Sequence, residues 1–134
     1  MSRIPRSQEH LKTGFTAEAA SAARFRAYAA RAERDGLNNL ARRWRDLAEG
    51  KDQLAVRLLE ASEQVLGGEA DVVGAISEER YENDVLYPKM LRDLEGLDGA
   101  AAEALGGVVA DQKEHLGRLE ALRKELGASQ GDVR

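Results

Sequence analysis

At 134 residues the chain is long enough to bury the core of one ordinary domain and too short for two. Its 22 Ala and 17 Leu, set against 8 Val, 2 Ile and 2 Thr, favour helices over strands, and the absence of Cys excludes disulfides, thiolate zinc sites, iron–sulfur centres and a cysteine nucleophile. The net charge of −4 is unevenly spread: residues 1–60 carry 12 Lys/Arg and 8 Asp/Glu (+4), residues 61–134 carry 8 and 16 (−8), so the two halves are expected to attract each other.

The apolar stretches are short and broken by charges, and no apolar run follows the charges of Met1 to Arg6, so neither a membrane span nor a signal peptide is expected and the chain is read as cytoplasmic. The first helix is expected over about 8–35, capped by Ser7 and closed by a left-handed turn at Gly36. A second is expected over about 38–66, ended by Gly67 and Gly68. A third, over about 71–95, takes Asp71 as its cap and carries a kink at Pro88. After the turn Gly96 to Gly99, a fourth runs over about 100–126, and 127–134 is expected to be a flexible tail. The domain is therefore 1–126, an all-α four-helix bundle. Arginines 24, 26, 31, 34, 42, 43 and 45 alternate with Glu33, Asp35, Asp46 and Glu49, which suits a solvated helix face and not a nucleic-acid interface.

Each helix carries an apolar stripe at 3,4 spacing with a polar interruption near its middle. In the first the stripe is Leu11, Phe15, Glu18, Ala22, Phe25, Ala29 and Ala32; in the second, Leu40, Trp44, Leu47, Lys51, Leu54, Leu58, Ala61 and Val65. The third reads Val72, Ile76, Glu79, Glu82, Leu86, Met90, Leu94 and Leu97, and the fourth reads Ala101, Leu105, Val108, Gln112, His115, Leu119, Leu122 and Leu126. An ionised group in hydrocarbon is costly unless paired, so Glu18, Lys51, Glu79, Glu82, Gln112 and His115 are expected to form one buried polar cluster. His10, alone in the first turn, is expected at the surface.

This pattern resembles the ferritin-like di-iron bundles, in which two helices each give one Glu and the other two each give a Glu-x-x-His pair. It is most similar to the rubrerythrin family, through His10-Leu-Lys-Thr-Gly-Phe-Thr-Ala-Glu18 and through Glu79-Arg-Tyr-Glu82 followed by Tyr87-Pro88, over about His10 to Leu126. The resemblance implies a di-iron oxidase or peroxidase, with Glu82 in the place of an additional, redox-responsive ligand. Here Lys51 stands for a Glu, Leu54 for a His and Gln112 for a Glu, Phe25 replaces a tyrosine near the metals, and these 134 residues hold none of the cysteines of a rubredoxin-like domain. The site is therefore expected to be degenerate and metal-free, with no catalytic or cofactor-binding residue. Lys51 would neutralise the carboxylates, and the role would be structural or binding. The alternative is a single Fe or Mn ion on Glu18, Glu79, Glu82 and His115, with peroxidase-like oxidoreductase activity.

The assembly expected is a homodimer. Ferritin-like topology runs the third helix parallel to the second, a return of about 40 Å, whereas the five residues 67–71 reach at most about 18 Å. An exchange of helix pairs between two copies resolves the mismatch; a local up-down-up-down monomer is the competing arrangement.

Overall fold

A computed structural model describes residues 4–129 and 131–134; the first three residues of the expected domain and Gln130 of the expected tail lie outside the described residues. Among the described residues the chain is all-helical, without a strand. The elements are α1 (Pro5–Arg34), α2 (Asn38–Ala61), α3 (Gly68–Tyr81), a π-helical turn (Glu82–Leu86), α4 (Tyr87–Leu94) and α5 (Gly99–Ser129). The chain divides into two compact units, Met1–Val65 and Leu66–Arg134.

In the first unit, α1 begins at Pro5 and not after Ser7, because proline's missing N–H falls where a helix has no partner for it. Ile4 occupies the N-cap position without a side-chain bond. The other end closes on Gly36 (φ 79°): Leu37 N–H donates to Ala32 O at 2.8 Å and Gly36 N–H to Glu33 O at 3.0 Å, the paired bonds of a Schellman ending. Helix α2 follows at once. It stops at Ala61, five residues before the expected end, because Ser62 Oγ donates to Leu59 O at 2.5 Å and Glu63 turns left-handed (φ 62°).

Small side chains build the contact between α1 and α2. On α2, Ala41, Ala48 and Ala55 are buried at seven-residue spacing, and Ser62 continues the series; on α1, Ala22 and Ala29 are buried at the same spacing. A Cβ added to Gly14 would lie 3.0 Å from Leu58 Cδ1, so the helices approach closely there as well. Interaxial distance follows side-chain size, and alanine permits the short end of the range. Among the described residues no large side chain is fully buried, and Leu40, Leu47 and Leu54 remain exposed. Trp44 packs on the Ala29, Ala32 and Ala41 cluster, its ring 5.1 Å from Phe25 and 5.0 Å, edge-on, from Tyr28.

In the second unit the start of α3 lies three residues ahead of Asp71, whose carboxylate accepts from Leu66 N–H and Gly67 N–H, both at 2.8 Å. Reaching back over the first turn, Asp71 satisfies donors that an isolated helix start leaves open. The kink expected at Pro88 takes the form of the π turn. Tyr87 N–H donates to Glu82 O, five residues back, and the turn widens just before the ring that would clash with the carbonyl of Asp84. Glu95 (φ −57°, ψ 120°) and Gly96 (φ 73°) form a type II turn, whose third position favours glycine. Asp98 Oδ1 then accepts from Ala101 N–H at 3.0 Å and caps α5, which passes the expected end at 126 and continues through Ser129. No described helix is long and apolar enough to cross a membrane.

Candidate functional site

The polar steps of the four stripes fall on both units. In the first, Glu18 lies midway along α1 and Lys51 midway along α2, one on each side of the alanine contact. Lys51 Nζ lies 2.8 Å from Glu18 Oε2, with the two side chains 32% and 26% exposed, so the pair is partly buried. Beside it a groove of about 500 Å³ is lined by Glu18, Leu54, Arg57, Leu58, Glu60 and Ala61. Three arginines of this unit pair with neighbouring acids: Arg26 with Asp52, Arg31 with Asp35 at 3.0 Å and Arg45 with Glu33 at 2.5 Å. These pairs are half-exposed and contribute little to stability.

In the second unit, Gln112 Nε2 on α5 donates to Glu82 Oε2 at 2.6 Å. Glu82 opens the π turn, and its carboxylate reaches Gln112 of α5. Glu79 Oε2 and Gln112 Oε1 are buried without a hydrogen-bond partner among the described residues. His115, one turn beyond Gln112, is exposed. Asn83 was not singled out by the stripe. It is 6% exposed, and neither of its amide atoms has a partner among the described residues. Its signal was available as the seven-residue step from buried Ile76, which the 76, 79, 82, 86 series passes over.

These donors do not fit the di-metal centre that the rubrerythrin resemblance implies. The ammonium of Lys51 holds the carboxylate of Glu18 that would be a ligand, and a cation there would meet like charge. Gln112 turns its N–H₂ group toward Glu82, presenting a donor where the ligand set needs an acceptor. Leu54 offers no donor atom at all. Among the described residues neither unit gathers three His, Asp or Glu side chains in ligating geometry. What the arrangement does supply is charge and hydrogen-bond complementarity: an ammonium on a carboxylate in one unit, an amide on a carboxylate in the other.

No protein-family model, curated protein or solved structure matches the chain.

Proposed function

We propose that the chain is a cytoplasmic, ferritin-like protein of rubrerythrin type that has lost its di-iron centre and works as a structural or binding protein, as a homodimer, without turnover. The observation that carries this reading is the 2.8 Å contact between Lys51 Nζ and Glu18 Oε2. An ammonium on the carboxylate does part of the electrostatic work that a metal cation does elsewhere, without redox chemistry. Gln112, neutral and bonded to Glu82, removes one further negative charge from the layer. Glu79, Glu82 and His115 complete the proposed layer.

Elemental analysis of protein purified without chelators tests this. Substoichiometric Fe, Mn and Zn are expected; one metal per chain would contradict it. The second reading, one Fe or Mn ion on Glu18, Glu79, Glu82 and His115 with peroxidase-like activity, is favoured by a single observation, the buried and unpartnered Oε2 of Glu79. The same analysis, with peroxide consumption measured on the same sample, separates the two.

A further inference from the structure

Within the second unit the polar ties between the two arms of the helical hairpin all lie toward one end. Arg123 lies 3.7 Å from Glu69, Arg80 lies 2.8 Å from Glu120, and Gln112 donates to Glu82 at 2.6 Å. These ties fasten a stem made of α3 and the later part of α5, and the buried Val72 and Ile76 belong to it as well. Beyond Glu82 and Gln112, α4 packs on the first part of α5, but among the described residues no side-chain hydrogen bond or ion pair joins them, and α4 buries no residue. Both arms are irregular at the level where the ties stop. The π turn ends at Leu86, eight residues or about 12 Å before the end of α4, and Gly107 lies eight residues, about 12 Å, into α5. Packing does not explain Gly106 and Gly107: a Cβ added to either would meet nothing within 4 Å, and neither has a positive φ. Adjacent glycines weaken a helix interior, and π turns and glycine pairs are where long helices bend.

From this coincidence we infer that residues 87–106 form a hinged tip: α4, the turn after it and the start of α5 swing as one body on the stem, about the π turn in one arm and Gly106-Gly107 in the other. The bond between Gln112 and Glu82 is the last fastening before the pivot. Asn83 sits in the pivot, 6% exposed and with neither amide atom partnered among the described residues. A buried amide without partners is costly, so the closed tip carries a penalty that opening relieves when water reaches Asn83. The packing of α4 on α5 opposes this and closes the tip again. The device needs neither a metal nor a second copy of the chain, so it stands or falls apart from the metal-free reading of the polar residues.

Native-state hydrogen exchange of the full chain, read amide by amide, tests the hinge. The hydrogen-bonded amides of 90–94 and 103–106 should exchange at least about tenfold faster than those of 72–80 and 113–123 in the stem. Gly106→Ala combined with Gly107→Ala should slow exchange about fivefold or more in α4 as well as around the substituted positions, because stiffening the pivot in one arm holds both arms closed. Asn83→Leu leaves α5 unaltered and removes the gain from wetting the amide, so it should slow the same two stretches. Tip amides as well protected as those of the stem overturn the inference. So does a double variant that slows exchange only over 103–110 and leaves α4 unchanged, since the glycines would then soften α5 alone. If the double variant fails to fold, Asn83→Leu decides by the same comparison.

Discussion

Lys51 is the one charged position in the α2 stripe Leu40, Trp44, Leu47, Lys51, Leu54, Leu58 and Ala61, and its ammonium rests on Glu18. Replacing it with Met keeps the stem and removes the charge, leaving a partly buried carboxylate unpaired. Lys51→Met should therefore lower stability by about 1–3 kcal/mol, the range for leaving a buried acceptor unsatisfied, as read from urea unfolding of parent and variant. A change within about 0.5 kcal/mol is the surface value and would mean that the pair is idle. Asn83 argues in the opposite direction. Its amide is buried and unpartnered, so Asn83→Leu, close in volume and apolar, should be neutral or stabilising by about 1 kcal/mol. A loss larger than that would reveal a partner for Asn83 supplied from outside the second unit.

At the scale of elements, the alanine contact sets the spacing of the first unit. Ala48 is buried between its heptad neighbours Ala41 and Ala55, so Ala48→Leu forces α1 and α2 apart and should destabilise by about 1–3 kcal/mol. Ala→Leu on an exposed face, as at Ala27, should change stability by less than about 0.5 kcal/mol; thermal unfolding of the two variants compares them. Much of this level is legible in the sequence. The composition points to helices, Gly36 marks the first helix end, and Glu18 and Lys51 stand out as the charged steps that meet. Other features are not legible from polarity alone. A 3,4 stripe locates apolar residues without saying which of two adjacent apolar faces a helix gives to which neighbour, so the alanine face of α2 was hidden beside its leucine face. The end of α2 at Ala61 depends on a serine hydroxyl bond and a left-handed glutamate, neither of which is a helix breaker by type. The start of α3 moves because Asp71 reaches back, an option that an N-cap rule does not contain. Asn83 stands seven residues, two regular helical turns, beyond buried Ile76, and the 76, 79, 82, 86 stripe steps past it.

For the whole molecule, the proposed function has Lys51 supply charge that a metal would supply in a rubrerythrin-type site. Lys51→Glu, Leu54→His and Gln112→Glu together create two Glu-x-x-His pairs, at 51/54 and 112/115, and with Glu18, Glu79 and Glu82 give the ligand set that the proposed reading takes as lost. Without metal the triple variant gathers carboxylates that lack a counter-charge and should melt below the parent. Binding a cation only in the folded state should then raise its melting temperature by mass action. The most direct measurement is the metal-to-protein ratio of parent and triple variant after anaerobic loading with Fe²⁺ or Mn²⁺ and removal of excess. A ratio near zero is expected for the parent and, for the variant, about two metals for each complete set of ligands. A parent that retains stoichiometric metal, or a variant that retains none, would contradict it.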